Sequence, residues 1–210
     1  MLMAAFGDVH GNLPALEAVL GEIDQAGIQT ILNTGDCVTG AQWPNEVIQV
    51  LQHRHIITVQ GLADRRTVTF LRKREAVRLR APDELDAIAQ AYDLLHSANL
   101  EFLRDLPKNV EMTVDGIAIA LCHGTPGSQS DALREGDNLA RFRRQRERVA
   151  GARLIVCGRT HEPFARLVDD TLFVNPGAVG VGPLAAYALI DTEREPWTAT
   201  FRQVAYTPRT

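Results

Sequence analysis

Residues able to bind a metal ion recur along this chain, directly after short apolar stretches. Asp8 and His10 stand two positions apart, while Asp36, His123 and His161 belong to later clusters. The clusters are Gly7-Asp8-Val9-His10-Gly11-Asn12, Gly35-Asp36, Cys122-His123-Gly124, Gly158-Arg159-Thr160-His161 and Asn175-Pro176-Gly177. Each apolar stretch is typical of a buried strand, and ligands bind beyond the carboxyl ends of such strands. Carboxylate oxygen together with imidazole nitrogen suits Mn, Fe or Zn better than Ca, so the clusters predict one divided metal site.

The elements before the clusters have the pattern of alternating strands and helices. Strands are predicted at 1–6, 28–32 and 56–59, with helices at 13–26 and 43–52 between them. In the first helix the apolar residues recur at helical spacing, Pro14 fits the first turn and Gly27 fits the end. Strands that alternate with helices predict parallel pairing with right-handed crossovers.

The remainder of the chain combines a helical segment with antiparallel strands. Residues 65–106 carry helical periodicity and are predicted to be a helical insertion beside the sheet. Asp115-Gly116 is a favoured hairpin turn between strands at 110–114 and 117–121. A helix at 138–150 and strands at 154–157, 164–168, 172–174, 186–190 and 198–204 follow. The prediction is an α/β fold with mixed sheets, in a single domain spanning 1–210.

The composition of the chain disfavours some classes of binding partner. The chain has 210 residues, a net charge of −4 and 45% hydrophobic residues, which disfavours a general nucleic-acid binder. No apolar run reaches the roughly 20 residues that span a bilayer, so no membrane partner is expected. Because the first residues lack the basic flank of a secretion signal, a cytoplasmic location is predicted. Cys37, Cys122 and Cys157 are expected to be small buried residues, with a redox role as the alternative.

The order of the motifs resembles the calcineurin-like metallophosphoesterase superfamily, in particular its small bacterial phosphodiesterase branch. The matching segments are Asp8-Val9-His10-Gly11-Asn12, Gly35-Asp36, Gly61 to Asp64, Cys122-His123-Gly124-Thr125-Pro126, Gly158-Arg159-Thr160-His161-Glu162-Pro163-Phe164 and Asn175-Pro176-Gly177-Ala178-Val179-Gly180. They cover essentially the whole chain. The resemblance implies a two-sheet mixed β sandwich flanked by helices, which agrees with the elements predicted above.

The resemblance also implies roles for individual residues. In that superfamily two divalent metals clamp a phosphate ester and activate a water for in-line attack. Asp8, His10 and His161 would hold the first metal. Asp36 would bridge both metals and His123 would bind the second. Asp64 would support the site from behind.

Three positions depart from the superfamily pattern. Leu62 stands where an Asn ligand is expected, Ala63 where a His or Cys is common, and Arg159 where a second His ligand is expected. A guanidinium has no lone pair for a metal, and about 4 Å from a divalent cation it costs roughly 8 kcal/mol at an effective dielectric of about 20. One tightly held metal is therefore expected, with Mn favoured and Fe, Zn, Co or Ni as alternatives. Arg159 is either a neutral change or a phosphate-binding residue.

Three functions remain open at the level of sequence. The favoured one is a metal-dependent phosphoesterase acting on a phosphodiester or a nucleotide, with Arg159, His123 and Asp64 in the catalytic machinery. The second is a relative that binds a phosphate ester or nucleotide without hydrolysing it. The third is a protein-interaction scaffold on the same fold. Asn12 and Asn175 are expected to brace the site loops, and His53, His55 and His96 to be solvated.

Overall fold

Two five-stranded sheets form the centre of the computed structural model, which describes residues 1–193 and 195–208 and omits the side chain of Arg80. The first sheet contains β1 (Leu2–Phe6), β2 (Ile31–Asn33), β3 (Ile57–Thr58), β9 (Leu184–Asp191) and β10 (Thr198–Ala205), in the order β10-β9-β1-β2-β3. The second contains β4 (Asn109–Val114), β5 (Ile117–Cys122), β6 (Leu154–Val156), β7 (Phe164–Val168) and β8 (Thr171–Asn175), in the order β4-β5-β6-β8-β7. The predicted mixed β sandwich is confirmed.

Each sheet combines parallel and antiparallel strands. Strand β1 pairs with β2, and β2 with β3, in parallel, while β9 and β10 join antiparallel. In the second sheet β5, β6 and β8 are parallel neighbours, and β4 and β7 are antiparallel edges. The carboxyl ends of parallel neighbours share one edge of a sheet, so the loops that follow these strands are gathered together.

Burial on both faces explains the continuous apolar sequence of β1. Met3 and Ala5 lie in the core between the two sheets, whereas Ala4 and Phe6 pack on the opposite side, against residues of the flanking helices. A strand covered on both faces needs no polar alternation. The outer face of the second sheet is closed by Phe142, which contacts Phe164 and Phe173 edge to face.

Helices cover the outside of the sandwich. Helices α1 (Leu13–Gln25) and α2 (Pro44–His53) flank the first sheet, and α7 (Leu139–Arg148) flanks the second. The insertion consists of α3 (Leu62–Val68), α4 (Phe70–Arg80), a short 3₁₀ helix (Pro82–Glu84), α5 (Leu85–Leu94) and α6 (Ser97–Asp105). The predicted helical character of 65–106 is confirmed. Among the described residues, no helix combines the length and apolar character needed to cross a bilayer.

Several predicted boundaries differ from the structure by one to three residues, and two of these differences have a clear physical reason. The strand predicted at 28–32 is β2 at Ile31–Asn33, because Ile28 is buried in the core before ladder pairing begins. The helix predicted at 138–150 begins at Leu139, because Asn138 is its cap and accepts a hydrogen bond from the Arg141 amide. The apolar pattern reports burial, and burial extends beyond the hydrogen-bonded element.

The three cysteines are free and buried, as expected. Burial raises the pKa of each thiol, to about 12 for Cys157. A thiol held protonated in this way is a poor nucleophile, which favours packing over a redox role.

Replacing Asn12 by Ala is expected to lower the free energy of unfolding by about 1 kcal/mol, the usual cost of losing a helix cap. The Asn12 side chain accepts a hydrogen bond from the Ala15 amide at the start of α1, and its amide donates to the Tyr206 hydroxyl. Urea denaturation measures the change. Asn12→Asp keeps the acceptor and is expected to recover most of the loss. An Asp variant as unstable as the Ala variant would contradict the capping role.

Candidate metal centre

The residues of the site lie in loops with unusual backbone conformations. Asp8, His10, Asp36, Arg159 and His161 all have positive φ, between 51° and 77°. Side chains other than Gly rarely adopt this left-handed region, and residues held there cluster at functional sites. This feature could not be predicted from the sequence, because the residue types Asp and His do not by themselves indicate it.

Close approach of the loops depends on Gly158. A Cβ at that position would lie 2.5 Å from Thr34 Oγ1 and 3.0 Å from Asp8 Oδ2. The space that a side chain would fill is therefore occupied by the site itself, so the loop after β6 can pack directly on the loop after β1.

Asp8, His10 and His161 form the first group of metal-binding atoms. One atom from each residue lies within 4.8 Å of the others. Asp8 Oδ1 is 3.3 Å from His161 Nε2 and 3.9 Å from His10 Nε2, and the two Nε2 atoms are 3.4 Å apart. Asp8 is fully buried, while both imidazoles are partly open to solvent. Three donors thus converge on one point near the surface.

Asp8, Asp36 and His123 form a second group that meets the same distance limit of 4.8 Å. All three are buried, and His123 Nε2 lies 3.3 Å from Asp36 Oδ2. Asp8 is the residue that the two groups share. The predicted placement of Asp36 between two metals is not tested by this grouping and stays a prediction.

Hydrogen bonds to backbone carbonyls orient two of the imidazoles. His10 Nδ1 is 2.9 Å from the Thr39 carbonyl oxygen, and His123 Nδ1 is 2.9 Å from that of Thr34. Because a carbonyl only accepts, Nδ1 of each ring carries the hydrogen and donates it. In the neutral form of each ring, Nε2 has a lone pair directed at the site, which is the usual arrangement behind a metal-binding His.

Two atoms at the centre of the site are buried without a hydrogen-bond partner among the described residues. They are Asp8 Oδ1 and His123 Nε2. An unsatisfied buried polar atom costs free energy, and such atoms are rare in native proteins. Both are lone-pair donors of the kinds that bind Mn, Fe or Zn, so the residues present fit a divalent cation.

Charge interactions within the second group are strong. Burial alone would raise the pKa of Asp36, but the adjacent His123 outweighs burial and holds it below its usual range. Burial likewise opposes the imidazolium form of His123, but the Asp36 and Asp8 carboxylates outweigh it and raise that pKa to about 9. Two carboxylates around one imidazole give the site an excess of negative charge, which favours a cation.

Asp64 lies behind the site and connects two of its loops. Its Oδ1 accepts from the Cys37 amide at 2.8 Å and its Oδ2 accepts from the Gly61 amide at 2.9 Å. Burial and the nearby Asp36 carboxylate raise the pKa of Asp64 to about 6. These contacts agree with the supporting position expected for Asp64, although its contribution to activity stays a prediction.

Asn12 and Asn175 brace the site loops, as expected. Asn12 caps α1 as described above. The Asn175 amide donates to the Gly158 carbonyl at 2.9 Å and to Thr160 Oγ1 at 3.0 Å, and its Oδ1 accepts from the Gly177 amide. His53, His55 and His96 are exposed and lie outside both groups.

A cavity of about 520 Å³ opens over the first group. The residues that line it are His10, Asp36, Thr39, Gly40, Ala41, Leu62, Ala63, Asp83, Glu84, Ala87, Ile88, Arg159, His161, Gly180, Val181 and Gly182. The insertion therefore supplies one wall and the metal-binding residues supply the floor. Asp83 and Glu84 belong to no motif, so their place in this wall could not be predicted from the sequence.

Leu62 and Arg159 both reach the cavity. Leu62 is 3% exposed and offers no donor atom, so it forms an apolar patch beside Asp36. The Arg159 amide donates to Asp8 Oδ2 at 3.3 Å, and its guanidinium makes no ion pair with any described residue. Arg159 Nε is buried without a hydrogen-bond partner in the part of the chain that the structure describes. An unpaired cation therefore borders the metal-binding residues.

Comparison with known proteins gives consistent results. The calcineurin-like phosphoesterase superfamily domain matches residues 1–195. An uncharacterized protein of Methanocaldococcus jannaschii is 25% identical over 85% of this chain and 70% of its own length. A solved hypothetical protein of Pyrococcus horikoshii superposes with a TM-score of 0.86, at 21% identity, over 98% of this chain and 88% of its own. A metallophosphoesterase of Sphaerobacter thermophilus superposes with a TM-score of 0.75, at 25% identity, over 99% and 90% respectively.

The family match covers β1 to β9 and every loop that contributes to the two groups of metal-binding atoms, and it ends before β10. With the fold and the gathered Asp and His residues in agreement, the chain belongs to the calcineurin-like phosphoesterase superfamily.

Proposed function

We propose that this protein is a metal-dependent phosphoesterase that hydrolyses phosphodiester or nucleotide-type substrates. The observation that carries the proposal is the buried, unsatisfied Asp8 Oδ1. Asp8 belongs to both groups of metal-binding atoms, and three other members of these groups, His10, Asp36 and His161, line the cavity. A site built to attract a cation beneath an open cavity is the arrangement that metal-assisted ester hydrolysis requires.

Asp8, His10 and His161 are assigned to one tightly held divalent metal, with Mn as the favoured ion. Asp36 and His123 complete a second position with Asp8, which is weaker because Leu62 contributes no donor and Arg159 repels a cation. When bound, the metal supplies Lewis-acid polarisation of the phosphoryl oxygen and lowers the pKa of a water.

Arg159 is assigned to the phosphate. Its guanidinium borders the cavity without an ion-pair partner among the described residues, and a planar fork suits two oxygens of a phosphoryl group. Bound in this way, Arg159 would orient the ester and offset the negative charge that develops on it. His123 and Asp64 are assigned to holding and supporting the second position. The single domain over 1–210 and the cytoplasmic location stay predictions.

We expect the protein to hydrolyse bis-p-nitrophenyl phosphate when Mn is added, and to stop when the metal is chelated. Arg159→Ala is expected to reduce kcat/KM by roughly tenfold or more, because a charged hydrogen bond to phosphate contributes about 1.5–3 kcal/mol. Release of p-nitrophenol, measured with Mn, Fe, Zn, Co and Ni, checks both expectations. Arg159→Lys is the matched control, since it keeps the charge and loses the fork. No turnover of this ester with any of the metals would contradict the proposal.

Leu62 and Arg159 give a second candidate function a specific basis. Because both replace expected ligands, the same cavity would also serve a protein that captures a phosphate ester or nucleotide without cleaving it. Saturable nucleotide binding that is weakened by Arg159→Ala, with no product formed, would select this candidate. A protein-interaction scaffold stays a prediction from the sequence, and no contact in the site favours it.

A further inference from the structure

The cavity is lined by a second charge that has no partner among the described residues, and this charge is opposite in sign to Arg159. Asp83, in the 3₁₀ helix of the insertion, lines the cavity and makes no ion pair or hydrogen bond within the described residues. Its neighbour Glu84 also lines the cavity but is neutralised by an ion pair with Arg66. Arg159 and Asp83 do not pair with each other, so the cavity presents two separate charges to whatever binds in it.

The apolar side chains that line the cavity are all aliphatic. They are Ala41, Leu62, Ala63, Ala87, Ile88 and Val181. None of the cavity-lining residues within the described chain is Phe, Tyr or Trp. A nucleobase is commonly recognised by stacking on an aromatic ring, and this wall offers none. The wall therefore suits an aliphatic group better than a base.

The two charges that line the cavity indicate how a bound ester would be oriented. If the phosphate occupies the floor beside Arg159, the organic half of the ester extends toward the insertion and Asp83. An anionic group there would be repelled by the Asp83 carboxylate, and an apolar group would leave the carboxylate without a partner. A cationic group would form an ion pair with it. A volume of about 520 Å³ lies within the range of cavities that bind small molecules.

We propose that the substrate is a zwitterionic phosphodiester, whose organic half is a short aliphatic chain bearing a cationic nitrogen, and that Asp83 recognises this nitrogen. The proposal rests on the proposed function only for the position of the phosphate. Asp83 touches the substrate away from the reacting bond, so it sets specificity and takes no part in the chemistry.

Binding of two isosteric ligands tests the proposal without requiring turnover. Phosphocholine and 3,3-dimethylbutyl phosphate have nearly the same shape, but only the first carries a quaternary nitrogen. Isothermal titration of the Mn-loaded protein is expected to show about fivefold tighter binding of phosphocholine, the upper size for a solvent-exposed charge pair. Asp83→Asn should remove the preference by weakening phosphocholine alone. Asp86→Asn, which changes an exposed carboxylate on α5 outside the cavity, should preserve it.

The corresponding p-nitrophenyl diesters extend the test to catalysis. The choline diester is expected to have the higher kcat/KM in the natural protein and to lose this advantage in Asp83→Asn. If neither diester is hydrolysed but the Asp83-dependent binding preference is present, the substrate class stands and the proposed hydrolysis fails. Equal binding of the two phosphates, a preference that survives Asp83→Asn, absence of phosphocholine binding, or tighter binding of adenosine monophosphate would each overturn the substrate class.

Discussion

Replacing Asp8 by Asn is expected to abolish the stabilisation of the protein by divalent cations and to reduce ester hydrolysis by at least roughly a thousandfold, the equivalent of about 4 kcal/mol in the activation barrier. Asp8 is the residue common to both groups of metal-binding atoms, so one substitution weakens both positions together. Because its Oδ1 is buried without a hydrogen-bond partner among the described residues, neutralising Asp8 removes a buried charge from the metal-free protein.

Asp8→Asn is expected to remove the stabilisation by metal without lowering the stability of the metal-free protein, so unfolding measurements can separate the two effects. Metal bound only by the folded state should stabilise the natural protein by about 2.7 kcal/mol at a concentration one hundred times Kd. Thermal unfolding with and without Mn measures this increment. In Asp8→Asn the increment should vanish, while the unfolding temperature of the metal-free protein stays the same or rises. Asp105→Asn, an exposed change on α6, should retain the full increment. An Asp8→Asn protein that is still stabilised by Mn would contradict the assigned site.

Much of the site could be predicted from the sequence because its residues follow strands. Asp8, Asp36 and His123 each follow a parallel strand, and parallel neighbours deliver their following loops to a common edge. His161 reaches the same place from the loop after β6. An apolar stretch followed by a polar cluster was therefore enough to predict which residues meet. The distances between them needed the structure.

Other parts of the site depend on contacts that no residue type encodes. The backbone carbonyls of Thr34 and Thr39 orient His123 and His10. Because every residue has a carbonyl, the sequence does not indicate which ones accept these hydrogen bonds. Asp8 belongs to both groups of metal-binding atoms and has left-handed backbone, and neither feature can be read from its residue type. Asp83 lines the cavity from an insertion in which Ile88 of α5 packs with Phe70 and Val77 of α4, and no single residue type encodes this packing.

The double substitution Leu62→Asn with Arg159→His is expected to raise the affinity for a second metal ion by at least about tenfold, which is 1.4 kcal/mol. The change adds two donor atoms to a position that already has Asp8, Asp36 and His123, and it removes a permanent cation from the border of the site. The backbone should accept both residues, since His tolerates the left-handed conformation that Arg159 adopts at φ 77°. Electron paramagnetic resonance of Mn separates a single ion from an exchange-coupled pair.

The two single variants show how much each substitution contributes to the affinity for a second metal ion. Leu62→Asn places an amide in an almost fully buried position, so the metal-free protein should lose about 1–3 kcal/mol of stability and regain part of it when Mn binds. Arg159→His should raise the second affinity without that loss, since its side chain is only partly buried. If the natural protein already shows a coupled Mn pair at low metal concentration, the three existing donors are enough to bind a second metal ion despite Leu62 and Arg159. The assignment of Arg159 to phosphate would then have to rest on its effect on ester binding alone.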